Sequence, residues 1–410
     1  MDSGQRRPRR MRILSAALAG VFALMIAGCS AANGGGAPTS EAGPPGDPIT
    51  IGYVCLCSFN TVGEQSTEGA FTAWVNWTNA HGGVNGHPIR LLTANDPGNP
   101  GVAQNQVKSL VDQGIVALVS NDPGNDAAWA PYIATTGIPV FTSSSASLVL
   151  SQTPNVFSTL VSVAYQPMQN VQAAKKAGAS KLAVFYCAEL ATCKQTVPAL
   201  ESVGGPVGVQ VVFSTSMLSS APNYTAQCLA ARDAGADALF IASISTAAAL
   251  RVIGNCAQQG YNPRLVSSGA AFSKSFEGAP GTEGMIASEP TAAFFDDGVP
   301  EIRTMNAAFD QYVPGLRESA DYSDTGAWQW TTGMLIAEAL KSGAVGTTKP
   351  ITARAVLDGL FTLHTTDLGG MTPPLTFVEG QPQQNKCWFY VAMQNGKLAT
   401  PYGREPTCAP

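Results

Sequence analysis

The chain holds 410 residues, 45% of them hydrophobic and 12% charged, with a formal charge of −5 at pH 7. That length is too great for one small core and predicts two domains. Residues 1–28 carry five Arg against one Asp, so without them the charge falls from −5 to −9, and so acidic a chain is a poor fit to nucleic acid or an anionic membrane face.

The chain opens on Arg6, Arg7, Arg9, Arg10 and Arg12, followed by an apolar run from Ile13 to Ala27 that is too short for a permanent span. It ends Leu24-Met25-Ile26-Ala27-Gly28-Cys29, where small residues before a cysteine resemble the lipobox of bacterial lipoproteins. That resemblance implies a signal peptide over 1–28, lipid on Cys29 and an extracytoplasmic protein anchored to the cell membrane. Residues 29–47 are rich in Ala, Gly, Pro and Ser and read as a flexible tether.

Ile49 to Val54 is a short β-branched run and predicts a buried strand. A polar loop follows, Cys57-Ser58-Phe59-Asn60-Thr61, with Thr61 and Glu64 at capping-box spacing. Ala70, Phe71, Trp74, Trp77 and Thr78 then recur on one helix face, and Gly82-Gly83 ends the helix. In an open α/β sheet such a loop lies at the carboxyl end of its strand, where ligands bind, so Asn60 is a candidate contact.

Three joints repeat one pattern, a helix ending at Gly114, Gly178 or Gly235 with an apolar β-run close behind. Strands alternating with helices in this way predict βαβ units and parallel sheets. One set of strands covers Ile49–Val54, Ile89–Thr93, Ile115–Val119 and Ile138–Thr142. A Ser-rich loop, Ser143 to Pro154, leads to an isolated strand at Val156–Thr159. A second set covers Leu182–Tyr186, Val209–Phe213, Ala238–Ala242 and Arg264–Ser267. Met285–Ser288 is extended and is expected to return the chain to the first set, where Ile302–Tyr312 and Tyr322–Lys341 read as helices. Leu375–Phe377, Cys387–Met393 and Lys397–Ala399 close the chain around a hairpin turn at Asn395-Gly396.

Eight cysteines follow Cys29, an even number that suits disulfides in an oxidising compartment. Sequence proximity favours Cys187–Cys193, Cys228–Cys256 and Cys387–Cys408. Cys55 and Cys57 would make a strained C-x-C bridge, and free thiols there stand beside it as the alternative. Zinc would need paired C-x-x-C units or clustered histidines, and His81, His87 and His364 are scattered. The chain has no G-x-G-x-x-G, no Walker lysine loop and no G-x-S-x-G, which argues against an enzyme, including a nicotinamide-dependent dehydrogenase, and no cofactor is expected.

The opening ITIGYV, then VGEQSTEGAFTAWVNWTNAHGGVNGHPIRLLTANDPGNP, then GIPVFTSSS and EGMIASEP, resemble the type I periplasmic binding proteins. The branch is that of the leucine/isoleucine/valine-type solute receptors of ABC importers, and the resemblance runs from Pro48 to Ala399. It implies two doubly wound α/β lobes joined by three hinge crossings, with a ligand closed between them. Residues 48–158 and 288–362 would form the first lobe, and 159–287 and 363–410 the second. The implied function is an extracytoplasmic solute-binding lipoprotein that delivers a small molecule to an ABC permease by hinge closure. A ligand-sensing receptor of the same fold is the alternative.

The resemblance also places contacts. Ser120, Asn121, Ser143, Ser144 and Ser145 fall where the family holds the carboxylate end of its ligand, with Asp122 and Asp126 close enough to repel one. In the second lobe the chain departs from the pattern: Thr192 stands where an aromatic is expected, Ser245 near an expected tyrosine, and Gly269 where an acidic residue pairs the ligand ammonium. These departures predict weak binding of leucine, isoleucine and valine, and a neutral or anionic solute in their place. Glu277 or Glu289 would restore the acid if the alignment slips.

Overall fold

The computed structural model describes residues 45–57, 64–145, 147–189, 191–242, 245–320 and 322–410. The expected signal segment, Cys29, the tether up to residue 44, Asn60 and the Thr61 side of the capping box lie outside the described residues.

The first sheet is built from β1 (Ile49–Cys55), α1 (Glu64–Ala80), β2 (Ile89–Asn95), α2 (Pro100–Asp112), β3 (Ala117–Asn121), α3 (Asp126–Ile133), β4 (Val140–Thr142), α4 (Leu148–Ser151) and β5 (Val156–Ser158). Its strand order is β2-β1-β3-β4-β5, parallel throughout. β1 is apolar on both faces because both are covered: Ile51 and Tyr53 enter one core and Val54 the other. The helix stripe read from the sequence is the inner face of α1, with Phe71 and Trp74 buried. α2 starts where Pro100 takes the first position and Asn99 Oδ1 accepts from the N–H groups of Gly101 and Val102. The segment expected as an isolated strand is β5, paired with β4 through Phe141 and Phe157. It is too short to show a pattern of its own, and its place comes from lateral pairing and the burial of Phe157.

The second sheet takes α5 (Gln166–Lys176), β6 (Lys181–Cys187), α6 (Thr196–Val207), β7 (Gln210–Met217), α7 (Thr225–Asp233), β8 (Ala238–Ala242), α8 (Thr246–Gln258), β9 (Arg264–Ser268) and β10 (Ile286–Glu289). After β10 come α9 (Pro300–Tyr312), α10 (Asp324–Ser342), α11 (Ala353–Leu363), β11 (Thr365–Thr366), β12 (Leu375–Thr376), β13 (Cys387–Gln394), β14 (Lys397–Ala399) and β15 (Thr407–Cys408). The order is β14-β13-β10-β9-β8-β6-β7, with β15 against β13. β7 to β10 are parallel and β13 is antiparallel to both β10 and β14. Met285–Ser288 therefore does not itself return to the first set: β10 is a strand of the second sheet, and the crossing follows it. Gly114, Gly178 and Gly235 all take positive φ, as the helix-ending joints require.

α1, α9, α10 and α11 share one core under the first sheet. Leu368, Met371, Leu375 and Phe377 belong to the same core, although the expected division hands the chain to the second lobe at residue 363. α10 packs so closely on α1 that a Cβ on Gly333 would enter the ring of Trp74.

Three crossings join the lobes, after β5, after β10 and before β13. The first and third run side by side. Asn385 Nδ2 donates to the carbonyls of Ser158 (2.6 Å) and Leu160 (2.8 Å), and Ser158 N–H donates to Gln383 Oε1 (2.7 Å). In the second, Ala292 N–H donates to Met371 O (2.8 Å). Disulfides join Cys187–Cys193, Cys228–Cys256 and Cys387–Cys408, and also Cys55–Cys57. Among the described residues no helix is long and apolar enough to cross a membrane.

Candidate functional site

The carboxyl ends of β3 and β4 carry the polar loops singled out in the first lobe. Much of their chemistry is spent inside that lobe. Asn121 Nδ2 donates to Thr67 Oγ1 (2.9 Å), and Ser143 Oγ donates to Ser120 O (3.3 Å). Gln329 of α10 accepts from Tyr53 OH (3.0 Å) and donates to Ser143 O (3.0 Å). Ser120, Asn121 and Ser143 are all buried and hold the loops in shape.

Ser144 and Ser145, one step further along, face open space. A cavity of about 150 Å³ lies where the crossings meet the two sheets. Ser145 lines it from the first lobe, and Leu160 and Val161 from the first crossing. Gln166, Gln169 and Asn170 line it from α5, Ser268 and Gly269 from the end of β9, Ser288 and Pro290 from the end of β10, and Trp328 from α10. A smaller space of about 30 Å³ adjoins it, adding Thr142, Ser144, Ser151, Ser158, Ser162 and Gln383. Ser144, Ser145 and Gly269 are thus brought together out of the residues marked in the sequence. Ser245 instead caps α8, its Oγ accepting from Ala248 N–H (3.3 Å). Thr192 lies in a short 3₁₀ turn, and its side chain falls outside the described residues, as does Asn60.

Among the described residues no ionisable side chain lines either space. Gln169 Nε2 donates to Ser288 O (3.0 Å) and Gln166 Nε2 to Val161 O (3.2 Å), which fixes both amides in the wall. Ser288 Oγ and Gln383 Nε2 are buried without a well-formed hydrogen bond among the described residues. These are the groups that a bound molecule could satisfy.

Behind Gly269 stand two carboxyl groups, Glu289, which the sequence offered as the alternative acid, and Asp324, which it did not mark. Any Cβ on Gly269 would strike the carboxylates of Glu289 and Asp324. Glu289 ends β10 and Asp324 begins α10, and both are fully buried. Burial, then the charge of Asp324, pushes the Glu289 carboxyl well above the usual range. Burial raises Asp324 as well, opposed by the Glu289 carboxyl, the Trp328 indole and the first amides of the helix. The pair therefore keeps one proton, on the Glu289 side, and one charge. An acid inside the apolar run Ile286–Glu289 was the available sequence signal for Glu289; nothing local marked Asp324.

The aspartates expected to repel a ligand are turned inward. Asp122 accepts from Trp129 Nε1 (3.0 Å), and Asp126 from Ser147 N–H (2.7 Å). Asp96 accepts from the N–H groups of Gly98 and Asn99 (3.0 and 2.9 Å) and from Asn125 Nδ2 (2.5 Å). Burial above all pushes the Asp122 carboxyl up to about 7, with the charges of Asp96 and Asp126 adding to it. Cys55, Cys57 and Glu68 are the one grouping of metal-capable side chains among the described residues, and both sulfurs there are in a disulfide.

A family model described as periplasmic binding protein matches residues 48–397. No curated protein matches the chain. Among solved structures, a branched-chain amino acid ABC transporter protein of Thermus thermophilus with bound valine superposes with TM-score 0.74 at 16% identity, covering 88% of this chain and 97% of that one. A solute-binding protein of R. palustris in complex with benzoate gives TM-score 0.68 at 14% identity, covering 86% and 95%. A fatty acid ABC transporter substrate-binding protein of Thermomonospora curvata gives 0.68 at 16%, covering 88% and 94%. At such identities these likenesses concern the fold.

Proposed function

We propose, from the premise that this chain belongs to the periplasmic binding protein family, that it binds a small solute between its two lobes and delivers it to an ABC permease. The observation that carries this reading is the cavity whose wall draws Ser145 from one lobe, Gln166, Gln169 and Gly269 from the other, and Leu160 and Pro290 from the crossings. A solute there touches both lobes only when they are close. It stabilises the closed form by the difference between its contacts in the two forms, and a permease can read that form. Ser144, Ser145, Gly269 and Trp328 are the proposed contacts. The role asks for binding and release, with no bond made or broken. Structures of the same fold with bound valine or in complex with benzoate support a small organic solute as the cargo.

The domain division and the anchor complete the proposal. Residues 48–158 and 290–362 would move against 159–289 and 381–410, with 368–377 staying in the first lobe's core and the expected boundary at 288 shifted past β10. Cleavage before Cys29 and lipidation there would hold the protein outside the cell membrane within reach of its permease.

Thermal melting against a solute panel tests the binding function, since a ligand at 100 times its Kd adds about 2.7 kcal/mol. A positive solute should also shrink the radius of gyration in solution scattering. A panel that shifts nothing, or a shift with no compaction, would count against closure around a solute. Cys29→Ala tests the anchor separately: it should release the protein from membranes without altering the melting shift, and retention through a high-salt wash would refute it.

A further inference from the structure

We propose that the Glu289–Asp324 pair behind Gly269 is a specificity determinant that bars carboxylates and leaves uncharged, hydrogen-bonding solutes as the cargo class. This rests on the reading of the cavity as the solute site.

The two groups come from different elements, the end of β10 and the start of α10, and meet where the second crossing begins. Both are fully buried; the carboxyls face each other, and Asp324 also faces the Trp328 indole and the first amides of α10. The neighbouring groups are Gly269, Thr325 and Trp328, and among the described residues no Lys, Arg or His acts on either carboxyl. Two carboxyl groups in such contact cannot both ionise, so they share one proton and keep one negative charge. Gly269 lines the cavity on one side and touches the pair on the other. Having no side chain, it leaves only a backbone segment between that charge and a bound solute.

Among the described residues the cavity wall supplies no opposing charge. It offers hydroxyl, amide and indole groups, among them Ser288 Oγ, whose residue is 1% exposed and which is unbonded. An anion placed there meets the field of the pair with nothing to offset it; at an effective dielectric of about 20 a unit charge so near changes affinity by about tenfold or more. A cation is drawn by the same field but finds no exposed carboxylate to replace its water, so its desolvation is not returned. An uncharged solute with hydroxyl or amide groups avoids both costs and satisfies the unbonded wall. The sequence expectation of a neutral or anionic solute is thereby narrowed to its neutral half.

The test uses three scaffolds, each in three charge states. They are glucose, gluconate and glucosamine; benzamide, benzoate and benzylamine; isovaleramide, isovalerate and isoamylamine. Valine and leucine are added. Melting shifts and calorimetric titration of the full chain should rank an uncharged member first, with its carboxylate at least tenfold weaker. A carboxylate, an amine or an amino acid binding as tightly as the uncharged members would overturn the proposal. The double variant Glu289→Gln with Asp324→Asn keeps shape and removes charge; it should narrow the gap between amide and carboxylate about tenfold and leave the uncharged solute within twofold. An unchanged gap would overturn the role of the pair. Should the variant not fold, the wild type at pH 5 and pH 8 replaces it, with affinities expressed per ionised carboxylate; protonation of the pair at pH 5 should narrow that corrected gap, and a constant corrected gap refutes it. Silence from all eleven solutes would instead strike at the cavity as a solute site.

Discussion

Asp122→Asn should stabilise the protein at neutral pH and leave it unchanged in acid. The wild-type carboxyl is fully buried, accepts one bond from Trp129 and has its other oxygen unbonded, with Asp96 and Asp126 nearby. Its pKa is pushed from 3.8 to about 7, chiefly by burial. At about 1.4 kcal/mol per pH unit, that difference amounts to a ceiling of about 4 kcal/mol. The sign follows from proton binding. The folded protein holds this proton more tightly than the unfolded chain, so stability is full below about pH 4 and is lost as pH rises through about 7. Asparagine keeps an oxygen for the Trp129 N–H and carries no charge, and the neighbouring aspartates can accept from its amide. Melting curves from pH 4 to pH 8.5 should coincide for the two proteins at the acid end and separate by roughly 5–10 °C at pH 8. Solute affinity should not change, since Asp122 does not line the cavity. Parallel curves across the whole range would refute the assignment of a strained carboxyl to this loop.

Gly333→Ala sets a methyl group into the ring of Trp74 and should cost about 1–3 kcal/mol in denaturant melts; a wild-type midpoint would show that α1 and α10 can separate without cost. Cys228→Ser with Cys256→Ser opens a loop whose ends are 28 residues apart and should cost about 3–4 kcal/mol by chain entropy. The variant should melt below the oxidised wild type and above the fully reduced protein, which loses all four bridges. Gly269→Ala drives a Cβ into the Glu289 and Asp324 carboxylates and should lower the melting temperature, with Glu289→Ala in the same chain restoring part of the loss. Purely additive losses would mean that the two residues do not touch.

Most of the fold was legible because its strands advertise themselves. β1 and β8 are continuous apolar runs, and the glycines at 114, 178 and 235 take the left-handed turn that ends each preceding helix. What stayed hidden was lateral. β5 has three residues and no periodicity, so only its pairing with β4 makes it part of a sheet. The side of the crossing on which β10 falls was equally invisible: an apolar run followed by proline looks the same in either lobe, and register against β9 decides it. Leu368 to Phe377 carry no sign of which core they fill, since both cores want the same side chains.

The site was half legible for a related reason. Ser144 and Ser145, singled out because a hydroxyl-rich loop after a parallel strand tends to face a cleft, do line the cavities. Their neighbours Ser120, Asn121 and Ser143 carry the same chemistry and are used up inside the lobe, a difference set by partners such as Gln329 that lie far along the chain. Gly269 reads in the sequence as a missing acid. In space the acid is there, carried by Glu289 from the next strand and doubled by Asp324 from a helix of the other lobe. The glycine and the two carboxyls are consequences of one another: a side chain at 269 would displace the pair, and the pair leaves no room for a side chain. Alignment compares positions one at a time and sees a loss. The packing sets two carboxyls directly behind Gly269, and on the proposed reading the shared charge, one layer of backbone back, repels an anion without reaching an ammonium.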